Sequence, residues 1–167
     1  NWISLFGGPV WTQTPDGEYF LHLFDQSQPD LNWENSDVRN DFEQTLRFWL
    51  DLGVDGFRID VAHGLVKENL DIDHHAPQAL SDALRLDIKM DSDERSSILS
   101  TVPFFNRPGV HEIYRSWRRI FDSYDRDVVS VAEVWVHPPE EAAHYVRPDE
   151  LSQVFNFDLL TTPFDAK

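Results

Sequence analysis

The stretch Gly53-Val54-Asp55-Gly56-Phe57-Arg58-Ile59-Asp60 decides the fold class. Residues 54–60 read as a short strand, and one glycine separates them from a helical segment. That helix is predicted over residues 36–52, where Val38, Phe42, Leu46, Trp49 and Leu50 recur at three-to-four spacing. Asn35 or Ser36 can cap its start, and Gly53 can take the left-handed turn at its end. The same order recurs downstream. A helix predicted over residues 109–124 carries the apolar stripe Val110, Ile113, Tyr114, Trp117, Ile120, Phe121 and Tyr124. The run Val128-Val129-Ser130-Val131-Ala132-Glu133-Val134-Trp135 follows, nearly continuous in apolar residues, as in a strand buried on both faces of a parallel sheet. Pro138-Pro139 start a third helix that reaches about Tyr145, and residues 153–158 read as one more strand. Helices alternating with strands predict a parallel α/β fold.

Outside this alternation the chain is irregular. Residues 1–35, rich in Trp, Gly, Pro and Asn, read as loops around an extended piece at residues 19–24. Residues 61–108 contain no predicted strand; they hold the acidic stretch Asp71-Ile72-Asp73-His74-His75 and a short helix predicted over 78–89. A connection of that length inside a compact domain is usually functional.

Composition narrows the partners. The chain has 167 residues, 41% of them apolar, with 12 Phe, 6 Trp and 4 Tyr, which suits one domain with a real core. Fourteen basic against 30 acidic residues give a net charge of −16, which repels phosphate backbones and anionic membranes. Neither nucleic acid nor membrane is an expected partner, whereas a neutral sugar fits. There is no Cys, hence no disulfide and no thiolate metal site.

Two predicted strands end in carboxylates: Asp60 closes the first and Glu133 lies near the end of the second. In parallel α/β architectures, function collects at the carboxyl ends of strands. Side chains alternate along a strand, so Arg58 shares a face with Asp60 and is placed to keep it ionised. Glu133 is expected among the apolar Val131, Ala132, Val134 and Trp135, a setting that suits a proton donor. One ionised carboxylate and one proton donor is the division of labour that glycoside hydrolysis uses. The alternative is plain: an Asp beside an Arg is also an ordinary ion pair, and a strand-end Glu is often only solvated.

These residues carry a resemblance. Gly56-Phe57-Arg58-Ile59-Asp60-Val61-Ala62-His63 resembles the nucleophile strand of the α-amylase superfamily, glycoside hydrolase family 13. Val131-Ala132-Glu133-Val134-Trp135 resembles that family's acid/base strand. Gln28-Pro29-Asp30-Leu31-Asn32-Trp33 is similar to the segment that its α-glucosidase branch carries before the intervening helix. The segment from Trp2 to Trp11, with Phe6-Gly7-Gly8, resembles the end of the small domain inserted in these barrels. The likeness runs in the family's order over nearly the whole chain.

The resemblance implies that residues 1–35 end the inserted loop-rich subdomain and return the chain. Residues 36–167 would then be the central part of a catalytic (β/α)8 TIM barrel, about its strands four to six, truncated at both ends. It implies Asp60 as nucleophile, Arg58 as the group that orients it, and Glu133 as acid/base. The expected reaction is retaining hydrolysis of short α-glucosides through a covalent glycosyl-enzyme, with carboxyl groups about 5–5.5 Å apart. Arg58, His63, Phe20 and Trp135 are the expected sugar contacts. For His63 the alternative is a residue that merely orders the loop. Trp11, His22, Phe24, Phe104 and Phe105 either stack on sugars or form a satellite core, and Asp30 and Asn32 shape a loop below the sugar or a simple turn.

The family's third carboxylate and its upstream substrate-binding His have no counterpart in the sequence, so the 167 residues alone are expected to be inactive. A transglucosylase or a sucrose- or trehalose-type isomerase would use the same two carboxylates. A non-catalytic barrel serving as an interaction domain would typically lack them. No cofactor or metal is expected from these residues, while calcium in a longer protein stays open. Linkage preference and oligomeric state also stay open, and cytoplasmic residence is the expectation such glucosidases carry. His111-Glu112-Ile113-Tyr114-Arg115 half-matches a zinc protease motif, with Arg in place of the second His, and reads as structural.

Overall fold

A computed structural model describes residues 2–68, 80, 82–83, 90–157, 159 and 164. Strands β1 (Trp11–Gln13) and β2 (Tyr19–Leu21) pair antiparallel, with Trp11 opposite Leu21. Helix α1 (Ser36–Asp51) leads into β3 (Gly56–Ile59), and a 3-10 turn, Ala62–Gly64, follows it. Helix α2 (Ser92–Ser100) precedes α3 (Val110–Phe121), which leads into β4 (Val129–Ala132). A 3-10 helix (Pro139–Val146) connects to β5 (Gln153–Val154). The strands β3, β4 and β5 form a parallel sheet in that order, with Gly56 opposite Val129 and Ala132 opposite Val154.

Local chemistry explains the boundaries. The Asn35 side chain accepts the Asp37 N–H at 2.8 Å and so caps α1. Gly53 takes φ +96° just beyond the helix, a conformation that costs a Cβ-bearing residue. At Gly56 any Cβ would collide with the Val129 carbonyl, so glycine is what lets β3 and β4 pair at this point. Helix α2, which periodicity does not reveal, starts where Asp91 accepts the Asp93 N–H at 2.9 Å.

The core lies between α1, α3 and the sheet. Val110, Ile113, Tyr114, Trp117, Ile120 and Phe121 are all buried, as the stripe on α3 predicts. Trp33, Phe42 and Trp117 pack ring against ring, and Phe57 of β3 stacks on Phe121 at 5.8 Å. Each such side chain stabilises the fold by about 1.5–3 kcal/mol. On α1, Leu46 and Leu50 are buried and Val38 and Phe42 pack against the core. Trp49, expected on that face, is instead 47% exposed and meets Phe48 edge to face. A second apolar cluster gathers Trp2, Val10, Leu23, Val102, Phe104 and Phe105. Phe104 and Phe105 are thus satellite-core residues.

The strands are shorter than the sequence suggests, because backbone pairing ends where the chain turns to form the site. Asp60, Glu133 and Trp135 accordingly lie beyond the strand ends, not within them. The extended piece at 19–24 is one arm of a hairpin, ending at Leu21. Of the helix expected over 78–89, only residues 80, 82 and 83 are described, and they are helical; the acidic stretch 71–75 lies outside the described residues. Among the described residues no helix is long and apolar enough to cross a membrane.

Candidate active site

Asp60 follows β3 and Glu133 follows β4, so adjacent parallel strands bring them together at one end of the sheet. One guanidinium joins them. Arg58 Nη1 donates to Asp60 Oδ1, and Nη2 donates to Glu133 Oε2 at 2.6 Å. The Asp60 side chain is 65% exposed and that of Glu133 17%. The pairing of Arg58 with Asp60 agrees with the alternation along the strand. The surroundings of Glu133 correct the expectation of an apolar setting. Its carboxylate meets donors: Arg58, the Trp135 indole Nε1 at 2.9 Å, and the Val61 N–H at 3.5 Å. A carboxylate at a strand end reaches the donors of its neighbours in space, whatever flanks it in sequence.

Backbone strain sits beside these groups. Val61, immediately after Asp60, takes φ +42°, a left-handed conformation that a β-branched residue rarely adopts. Its loop is pinned on several sides. The Ala62 N–H donates to the Glu133 carbonyl at 2.8 Å, and the buried Tyr114 hydroxyl donates to the Ala62 carbonyl. Burial holds the Tyr114 hydroxyl well above its usual pKa, which keeps it a donor.

The other expected sugar contacts have different surroundings. His63 is 2% exposed, packed on Phe105 at 4.6 Å, and accepts the Trp135 backbone N–H on Nδ1 at 3.4 Å. Burial lowers its pKa to about 4, against a smaller opposing effect of the Glu133 backbone. This burial favours the loop-ordering alternative for His63. Trp135 stacks on Phe157, with centroids 3.4 Å apart. Phe20 lines a cleft of about 730 Å³ with Trp11, Asp30, Trp33, Leu65 and Lys67. Neither Asp60 nor Glu133 lines that cleft. The two carboxylates stand instead just beyond the carboxyl ends of β3 and β4.

Lys67 has no periodic or motif signal in the sequence, yet it bonds Asp30 Oδ1 and the Gly64 carbonyl, the latter at 2.7 Å. Asp30 also accepts the Leu23 N–H at 2.6 Å, so this pair ties the loop after Asp60 to the β2 loop. Burial lowers the Lys67 pKa, with Asp30 opposing. Asn32 accepts the Glu34 N–H at 3.0 Å and forms the turn into α1. His111 and Arg115, from the half-matched zinc motif, both bind Glu150.

A family description of the alpha-amylase catalytic domain matches residues 1–167. An oligo-1,6-glucosidase of Parageobacillus thermoglucosidasius is 36% identical over 95% of this chain and 26% of its own length. An alpha-glucosidase of Candida albicans is 36% identical over 100% of this chain and 27% of its own length. The crystal structure of an alpha-glucosyl transfer enzyme superposes with a TM-score of 0.73 at 31% identity, over 96% of this chain and 30% of that one. The chain thus spans about a quarter of the length of these glucosidases, and its parallel sheet is part of a TIM barrel. It belongs to the alpha-amylase family, as a portion of that family's catalytic domain.

Proposed function

We propose that Asp60 and Glu133 are the nucleophile and the acid/base of a retaining α-glucosidase that acts on short α-glucosides. The observation that carries this reading is the single Arg58 guanidinium that holds both carboxylates at the ends of adjacent parallel strands. Two carboxyl groups that share one guanidinium face one region of space, as a nucleophile and an acid/base acting on the same bond must. Asp60, the more exposed of the two, attacks the anomeric carbon, with Arg58 fixing its orientation. Glu133 gives its proton to the leaving oxygen and then takes one from the water that releases the sugar. Relatives named oligo-1,6-glucosidase and alpha-glucosidase support the substrate class. Residues 1–35 would be the return from the inserted subdomain, with Phe20 at its edge.

A second reading is glucosyl transfer, which the structural likeness to an alpha-glucosyl transfer enzyme favours. The same glycosyl-enzyme then passes its glucose to a sugar hydroxyl in place of water.

The test uses the full-length protein that carries these residues. Wild type is expected to release p-nitrophenol from p-nitrophenyl α-glucoside, and Asp60→Asn to lose at least about 10³-fold in kcat. An active Asp60→Asn variant would mean that the nucleophile lies elsewhere. Product analysis with added maltose separates hydrolysis from transfer.

A further inference from the structure

We propose that Trp135 and His63 are positioning residues for Glu133, acting through its carboxylate and not as platforms for the sugar. This rests on Glu133 being the acid/base.

The Trp135 indole N–H is a donor only, and it is directed at Glu133 Oε1 at 2.9 Å. Arg58 Nη2 takes the other oxygen, Oε2. The two oxygens therefore differ: one meets a neutral donor, the other a cation. Donors on both oxygens fix the plane of the carboxyl group, and with it the direction of the remaining lone pair at which a proton is taken up and handed over. The indole is itself held, because one of its faces is stacked on Phe157 with an interplanar angle of 15°. That stacking and the engaged N–H fix the indole plane relative to Glu133.

His63 lies behind this arrangement. Its Nδ1 accepts the Trp135 backbone N–H, and its own carbonyl accepts the Asn106 N–H at 2.7 Å. Asn106 is fixed in turn by the Tyr145 hydroxyl, which donates to its side-chain oxygen at 2.7 Å. The imidazole thereby joins the loop after Asp60 to the segment that carries Glu133 and Trp135. Burial keeps it neutral, so the acceptor on Nδ1 persists at neutral pH. In sequence 72 residues separate His63 from Trp135, and only the parallel pairing of β3 with β4 brings them together.

The experiment compares aryl α-glucosides of similar shape but different leaving-group acidity, from p-nitrophenyl to phenyl, in the full-length protein. A p-nitrophenolate departs without help; a phenolate needs the proton. Trp135→Phe retains a ring against Phe157 and removes the N–H. It is expected to leave kcat/KM for the p-nitrophenyl substrate within about threefold and to lower it for the phenyl substrate by roughly 10- to 100-fold. His63→Leu should reproduce that steepening, and His63→Asn, whose amide oxygen can replace Nδ1, should largely restore it. An equal loss across the series would overturn the proposal by making Trp135 a sugar or aryl contact, and a flat response would overturn it outright. If Trp135→Phe does not fold, the His63→Leu and His63→Asn pair decides alone. Glu133→Gln runs as the control. If it fails to steepen the series, the acid/base assignment itself falls; if it does so while Trp135→Phe and His63→Leu do not, only the positioning proposal falls.

Discussion

Glu133 and Glu150 are both glutamates gripped by arginine, and they differ in how far solvent reaches them. Glu150 is fully enclosed, with His111 at 2.7 Å, Arg115 at 2.9 Å and Arg147 at 3.1 Å on its two oxygens. It fastens α3 to the segment that leads into β5. Glu133 keeps an edge open to solvent beside a second carboxylate on the same guanidinium. A carboxylate shut off from solvent can only brace the fold, whereas one with an open edge can exchange a proton with a bound molecule. Two aspartates show the same contrast. Asp30 with Lys67 is 16% exposed and closes a loop, whereas Asp60 with Arg58 is 65% exposed and faces outward.

The sharpest way to break this comparison is to remove charge from each glutamate in the full-length protein. Glu133→Gln is expected to lower kcat/KM on disaccharides by about 10²- to 10⁴-fold with little change in melting temperature. Glu150→Gln is expected to do the reverse, costing roughly 3 kcal/mol in chemical denaturation and sparing kcat. If the two variants behaved alike, burial would not separate brace from site.

Lys67→Met tests the second contrast. It leaves Asp30 charged and mostly enclosed, and the expected loss is about 3 kcal/mol, part of it recovered when Asp30→Asn is added. A loss well under 1 kcal/mol would show that water reaches Asp30 freely.

The smallest effect concerns His63, buried and neutral. Its folded pKa of about 4 lies below the ordinary 6.5, so the unfolded chain binds the proton more readily. The stability this confers is complete above about pH 6.5 and is lost as pH falls toward 4, by an amount on the order of 2–3 kcal/mol. His63→Asn should flatten the fall in melting temperature between pH 6.5 and 4.5. An unchanged slope would mean that other groups govern the acid sensitivity.

The sequence was most informative where a repeat of chemistry lies along the chain. The α3 stripe from Val110 to Phe121 is legible because a helix returns the same face every three to four residues. The Asn35 cap, the Gly53 stop and the pairing of Arg58 with Asp60 are legible for the same reason, since each partner lies within a few residues. The family motifs around Asp60 and Glu133 are local strings as well, so the family was within reach of reading alone.

Contacts across long separations were not. That one guanidinium reaches both Asp60 and Glu133, that Lys67 closes on Asp30, and that His63 lies beneath Trp135 follow from strand pairing and loop closure over tens of residues. The apolar flanks of Glu133 even point the wrong way, because its donors come from Arg58 on the neighbouring strand, from Val61 just after it and from the polar tip of Trp135. Local periodicity and capping thus determined α1 and α3, and local motifs singled out the two carboxylates. Only the tertiary structure decided which donors each carboxylate meets, because hydrogen bonds act over about 3 Å of space whatever the distance along the chain.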